Sequence, residues 1–285
     1  MTAPHALHLG TWGRATGMKH IAMCHHTDSL IAIERHRRML HDFYLPVGIR
    51  LVAFDPYFIA LDKIPKFEAL AEVERMADSL REFGQELDRL SVIRYGHTSK
   101  YCQILSKERE CRRRSFHEID YLFELTDLIG MIGFAVHLGG DGRSTSAAED
   151  TVRAFEGLDE SRLRALYIEN TTTPAGRLAN ALDVARRLPI NIAFDVGHFI
   201  ESAFEDLELY DAIERVLEVT HPAALYIHLS KEVKGRHRDL DLQWSIQFIE
   251  DLLVRFPIDL HIVVESPNRL DECLYLMRHF EGHPE

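Results

Sequence analysis

The sequence predicts a closed (β/α)8 barrel of the α/β class, a TIM barrel, on three observations. Short apolar runs rich in β-branched residues recur along the chain, an amphipathic stretch of helical length follows each run, and the count reaches eight of each. Near-continuous apolar strands are what a parallel sheet buried on both faces requires. Eight of them in 285 residues suit a closed barrel better than an open doubly wound sheet.

In chain order, the first strand is placed at 5–11 (HALHLGT) with a helix at 28–45, and the second at 49–55 (IRLVAFD) with a helix at 64–86. The third strand, 91–97 (SVIRYGH), leads to a helix at 108–129, and the fourth, 131–137 (MIGFAVH), to a helix at 147–156. Strands at 164–169 (RALYIE) and 190–195 (INIAFD) precede helices at 176–187 and 208–219. The last two, 224–228 (ALYIH) and 260–265 (LHIVVE), precede helices at 241–255 and 269–280. No Gly-rich phosphate loop follows any strand, which sets aside dinucleotide and P-loop folds. With no repeat, low-complexity tract or linker rich in Pro, Gly or Ser, residues 1–285 are expected to form one domain.

Composition bounds the function. Hydrophobic residues make up 46% and charged residues 27%, an ordinary globular balance that excludes disorder. Lys plus Arg number 33 against 45 Asp plus Glu, so 33 − 45 = −12 at pH 7, which argues against coating nucleic acid by bulk attraction. No apolar run reaches the ~18–20 residues of a spanning helix, so no membrane partner is expected. Met1 to Gly10 also lacks the order of a signal peptide. Cys24, Cys102, Cys111 and Cys273 are scattered without a CxxC step, as in a cytoplasmic chain with reduced thiols.

The residues that end the strands carry the chemistry. In such a barrel, side chains from different strands converge at the carboxyl ends, here His97, His137, Glu169, Asp195, His228 and Glu265. A single His or acid in that place reads as a cap or a salt-bridge partner; six at one end read as a shared site. Asp195-Val-Gly-His198 is a DxxH step whose two side chains can face one metal, and His237 lies in a polar loop (SKEVKGRHRD) able to fold over the barrel mouth. The eight side chains are His97, His137, His198, His228, His237, Glu169, Glu265 and Asp195. They suit two or three divalent transition-metal ions, Mn2+, Zn2+, Fe2+ or Co2+. Two ions ~3.5–4 Å apart clamp the attacking and leaving oxygens of a displacement, so hydrolysis at phosphorus is expected. The plainer reading is a hydrogen-bonded polar lumen in which some members orient others.

These positions also fall in a recognisable series. His97-Thr98-Ser99-Lys100-Tyr101 stands where an HPGQY step would be, and Ser106 to Met131 follows as a helix toward His137-Leu138-Gly139-Gly140, an HxGG. Ile168-Glu169-Asn170 matches LEND, and Phe194-Asp195 to His198 matches FDxxH. His228-Leu229-Ser230 matches HxS, His237-Arg238-Asp239 matches HxD, and Glu265 is the eighth-strand glutamate. From about residue 45 to 270 the chain thereby resembles the UV damage endonuclease family, part of a superfamily of xylose isomerase-like barrels that includes endonuclease IV. The resemblance implies a metal-dependent endonuclease acting on damaged DNA. It puts Glu169, Glu265 and His237 in the catalytic cluster, and Lys100 and Tyr101 at the substrate.

The chain departs from that family in three places. No His follows the second strand in Asp55 to Asp62, Lys100 replaces a Gln, and Tyr226 replaces a Lys two residues before His228. These changes bear on one metal position and on the choice of lesion. A second enzyme reading is a metal-dependent sugar isomerase or epimerase acting on a small polar sugar, with Glu169 and Glu265 as paired carboxylates, which suits the acidic surface better. A third is a metal-free binding or scaffold barrel whose strand-end residues are salt-bridged to one another. Arg112, Arg113 and Arg114 read as a solvated helix face, as do His25, His26 and the Arg35 to Arg38 cluster. His261, at the opposite end of its strand from Glu265, is no ligand candidate.

Overall fold

A strand inside a barrel has one face toward the lumen and one toward the surrounding helices, so alternate residues must suit two different cores. The computed structural model describes residues 7–12, 33–34, 37–38, 40–47, 50–54, 69–99, 102–139, 147–202, 207–234 and 236–281. Lys100, Tyr101, Gly140, the 55–62 loop and eight of the eighteen residues of the helix expected at 28–45 lie outside them; the described end of that helix, Leu40–Tyr44, is a π-helical turn followed by a 3-10 turn at Leu45–Val47. Eight parallel strands pair in sequence order and close on themselves. They are β1 (Leu7–Trp12), β2 (Leu51–Phe54), β3 (Ile93–His97), β4 (Phe134–His137), β5 (Leu166–Glu169), β6 (Asn191–Asp195), β7 (Ala224–Ser230) and β8 (Asp259–Glu265). Closure is made by β1 against β8, from Leu7 opposite Leu260 to Thr11 opposite Val264.

The helices described between them are α1 (Ala69–Arg75), α2 (Ala77–Arg89), α3 (Arg109–Ile129), α4 (Ala147–Phe155), α5 (Glu160–Ala165), α6 (Leu178–Arg187), α7 (Val196–Glu201), α8 (Leu209–Thr220), α9 (Leu242–Arg255) and α10 (Arg269–Glu281). Three further elements differ from expectation. The segment expected as one helix at 64–86 breaks at Met76, whose N–H bonds back to the Val73 carbonyl three residues earlier, so one tight turn separates α1 from α2. Residues 164–165, expected to begin β5, belong to α5, which Asp159 caps by accepting the Arg162 N–H at 2.9 Å. The fourth strand starts three residues later than expected, because α3 ends on Gly130 in the left-handed region (φ 71°) and Met131–Gly133 carry the chain to Phe134. Among the described residues no helix is long and apolar enough to cross a membrane.

The two strand faces form two separate clusters. Val52, Phe54, Phe134, Val136, Ile168, Phe194, Ile227 and Ile262 pack outward with the helices. Leu51, Ala53, Tyr95, Ala135, Tyr167, Ala193, Tyr226 and Val263 fill the lumen. The lumen layer is graded by strand: Tyr95, Tyr167 and Tyr226 come from odd strands, Ala53, Ala135, Ala193 and Val263 from even ones. Bulky rings thus interleave with small side chains, as layer packing requires. Tyr95 and Tyr226 stack with centroids 3.9 Å apart, and Tyr167 meets both edge-on.

Below this layer His261 Nδ1 shares a 2.8 Å hydrogen bond with Tyr95 Oη, with the His8 ring 5.2 Å away. Burial first, then the charge of His8, pushes the His261 pKa down from 6.5 to about 4. A group with a depressed folded pKa contributes its stability above its unfolded pKa, and loses it as pH falls from 6.5 toward 4. At pH 4.5 the loss expected is about 2–3 kcal/mol relative to neutral pH. Denaturant unfolding at pH 7.5 and 4.5 is therefore expected to show a smaller acid loss in His261→Gln than in the wild type. Equal losses would remove His261 as the cause.

Candidate metal centre

Two residues beyond six of the lumen positions, on the same strand face, stands a His or a carboxylate. Tyr95 is followed by His97, Ala135 by His137, Tyr167 by Glu169, Ala193 by Asp195, Tyr226 by His228 and Val263 by Glu265. The period of two carries the chemistry to the carboxyl end of the barrel, directly above an aromatic and aliphatic floor. Strand β7 runs two residues past its expected end, so His228 is not terminal and Ser230 shares its face.

Glu169 is the hub. Its Oε2 lies 2.7 Å from His97 Nε2 and 3.3 Å from His228 Nδ1, and its Oε1 lies 3.3 Å from His137 Nε2 and 3.5 Å from His198 Nδ1. Burial alone would raise this carboxyl; His137, His228 and His97 more than reverse it and hold Glu169 well below the usual carboxylate range. Glu265, 3.9 Å from His228 Nδ1, goes the other way, because burial and the carboxylates of Glu169 and Asp195 push it well above that range. His97 is raised, its burial outweighed by Glu169.

The surrounding shell orients these donors. His97 Nδ1 bonds the Thr98 carbonyl at 2.5 Å, which turns Nε2 inward to Glu169. Asn170 ties the ends of β5 and β6 together, donating through Nδ2 to the Asp195 carbonyl and accepting the Asp195 N–H, both at 2.8 Å. Asp195 Oδ1 is fully engaged, accepting the His198 N–H at 2.6 Å and the Ser230 hydroxyl at 2.8 Å. Its Oδ2 is buried without a hydrogen-bond partner among the described residues. A buried carboxylate oxygen left in that state is costly unless a cation meets it. Gly197 is required here, because a Cβ would run into the Ser230 hydroxyl and backbone.

Donor atoms within 4.8 Å of one another form two overlapping sets, His97–Glu169–His228 and Glu169–Asp195–His228–Glu265. They share Glu169 and His228, and the mixture of imidazole and carboxylate is what borderline divalent metals take. His137 and His198 lie against Glu169 but outside both sets. His237 is exposed on the rim, its ring 6.1 Å from that of His198. Asp239 turns away to accept from Asn268 at 3.0 Å.

Ser99, which precedes Lys100 and Tyr101 in the chain, is held by buried Glu118 of α3, which accepts both its N–H and its hydroxyl. Arg113 and Arg114 pair with Glu110 on the exposed face of α3, as a solvated helix surface does. Three polar residues escaped the sequence reading. Glu118 and Glu272, the latter holding Ser266 and the Leu240 N–H, resemble any helical acid. Glu232, whose Oε2 lies 2.7 Å from His198 Nε2, sits amid a basic loop where only the folded register reveals it.

Likeness to known proteins agrees with this geometry. The model of the UV-endonuclease UvdE family matches residues 29–284. No curated protein matches the chain. The crystal structure of SacUVDE superposes with a TM-score of 0.77 at 17% identity over 98% of each chain. Endonuclease IV from Thermus thermophilus superposes at 0.60 with 18% identity, also over 98% of each. The 3-keto-D-glucoside 4-epimerase YcjR from E. coli does so at 0.61 with 12% identity, over 97% of this chain and 99% of that one. At these identities the superpositions establish the xylose isomerase-like barrel fold.

Proposed function

Because the chain belongs to the UV-endonuclease UvdE family, we propose that it is a metal-dependent phosphodiester hydrolase that incises damaged DNA at the mouth of the barrel. One observation carries the reading: a single buried carboxylate, Glu169, shared by two overlapping donor sets and ringed by four imidazoles. His97, Glu169, His228, Asp195 and Glu265 would hold two ions, and His137 and His198 flank them. Divalent ions held there would supply Lewis-acid polarisation of a phosphoryl oxygen and a water that loses its proton near neutral pH.

The chain's own residues do the rest. Asp195 keeps Oδ2 free for a cation only because His198 N–H and Ser230 occupy Oδ1. Burial, then the charges of Glu169 and Asp195, push the Glu265 carboxyl well above the usual carboxylate range, a shift that positive charge entering the cluster would oppose. The three-tyrosine floor closes the lumen beneath, so substrate approaches only from the mouth. Lys100 and Tyr101, which follow Ser99 in the chain, contact the extruded or unpaired nucleotide in this reading. The net charge of −12 does not oppose it locally, since cations held by the strand-end residues would reverse the sign at the mouth.

The test is nicking of UV-irradiated or abasic duplex by protein loaded with Mn2+, Zn2+ or Fe2+, with undamaged duplex as control. Nicking confined to damaged DNA is expected. Failure on every lesion, together with aldose–ketose interconversion by the same preparation, would replace this reading with a sugar isomerase or epimerase.

A further inference from the structure

Resting on the metal-dependent reading above, we propose that Glu118 is a positioning residue for His97, acting through the peptide unit between Thr98 and Ser99. That unit is bonded at both ends. Its carbonyl, on Thr98, accepts from His97 Nδ1 at 2.5 Å, and its N–H, on Ser99, donates to Glu118 Oε1. A ring nitrogen facing a carbonyl can only donate, so Nδ1 carries the proton and Nε2 is left as the metal-binding atom of neutral His97. A peptide unit is planar and its carbonyl and N–H dipoles add, so a carboxylate at the N–H makes the carbonyl a stronger acceptor. The imidazole beyond it is thereby held in orientation and made a stronger electron-pair donor, as when a carboxylate bonds a ligating histidine directly. Here one peptide unit is inserted between the two.

Glu118 is built into this place. It is 8% exposed, Ser99 engages both its oxygens, with Oγ donating to Oε2 at 2.9 Å, and it makes no ion pair among the described residues. A buried carboxylate costs more than a neutral acceptor of the same shape, so holding the segment does not explain the charge. The same face of α3 shows the contrast. Arg112, Ser115 and Glu118 recur every three residues; Arg112 donates to the Ser106 carbonyl at 2.5 Å, and Ser115 Oγ accepts the Gln103 N–H at 2.7 Å. Those two bonds fasten the segment. Of the three side chains, only Glu118 bonds a peptide that a strand-end histidine also uses. The other side of Thr98 is fixed too, its N–H donating to the Ala135 carbonyl of β4 at 2.8 Å, which keeps the linking peptide from turning away.

The experiment is titration calorimetry on the full chain, with Mn2+ and Zn2+ separately, for wild type, Glu118→Gln and Ser99→Ala. Glutamine keeps both bonds, accepting the Ser99 N–H and donating to its hydroxyl, and removes only the charge. Glu118→Gln is therefore expected to bind the wild-type number of equivalents with affinity about three- to tenfold weaker, less than the ~10–100-fold that follows loss of a direct partner. Ser99→Ala keeps the peptide link and is expected to stay within about twofold of wild type. Wild-type affinity in Glu118→Gln overturns the proposal. An equal weakening in Ser99→Ala also overturns it, since Glu118 would then merely fasten the segment. In metal-free protein carrying isotope-labelled histidine, the His97 Nδ1 proton is assigned by its loss in His97→Gln. Its resonance is expected to shift upfield in Glu118→Gln as the bond to Thr98 weakens; an unmoved resonance overturns the proposal independently of metal. A wild type that binds no metal overturns the underlying reading instead. Glu118→Asp, which draws the carboxylate back by one methylene, is expected to weaken the same affinity and stands in if circular dichroism shows the glutamine variant unfolded. Wild-type affinity there overturns the proposal.

Discussion

Glu169→Gln is expected to lower turnover on damaged DNA by ~10^3-fold or more, about 4 kcal/mol of transition-state stabilisation, and to remove at least one equivalent of metal. The size follows from position. Glu169 belongs to both donor sets, and its two oxygens face four different imidazoles, so no other carboxylate here can take its place. Glutamine keeps the shape and an acceptor for His97 but loses the charge that the imidazoles hold below the usual range. The barrel should survive, since the lumen floor and the helix-packed core lie outside the cluster. Stability is expected to fall by about 3 kcal/mol, as when one partner leaves a buried ionic group. Metal content and steady-state rates measured on the same preparation decide the matter. Full turnover with full metal content would refute the assignment of Glu169 to the site.

The parts of this molecule that could be read from sequence are those where local pattern and global fold demand the same residue. Each apolar strand had to be continuous to be buried on both faces, and a His or acid closing such a strand stands out against it, as at His97, His137, Glu169, Asp195 and Glu265. Other features depend on contacts between distant segments. Glu232 is one acid in a basic loop until the bridge to His237 turns it inward, and Glu118 resembles any helical glutamate until Ser99, 19 residues earlier, is seen to use it. The tyrosine floor is written in the strands, but only closure in the order β1 to β8 brings Tyr95, Tyr167 and Tyr226 into mutual contact. Met76 lies within an unbroken helical pattern, and the turn there shows only in the backbone bond to Val73.

Adding Mn2+ to metal-free protein at 100 times its Kd is expected to stabilise the fold by about 2.7 kcal/mol, or roughly 5–10 °C in Tm, and a chelator is expected to reverse it. The cause is the donor set itself: Glu169, Asp195 and Glu265 are gathered in the barrel mouth, and Asp195 Oδ2 is buried without a hydrogen-bond partner among the described residues. The sign of the pH dependence follows from the shifted groups. Glu265, His97 and His198 are all raised, so each holds a proton in the metal-free chain at pH values where it would ordinarily have released it. Those protons must leave before the same atoms can bind metal, so affinity rises with pH by up to tenfold per unit for each proton displaced. At a fixed metal concentration the Tm increment should therefore be larger at pH 8 than at pH 6. Scanning fluorimetry with and without Mn2+ at the two pH values measures it directly. A larger increment at pH 6, or none at either pH with Mn2+, Zn2+ or Fe2+, would mean that the cluster is held by its own protons and that the strand-end residues do not form a metal centre.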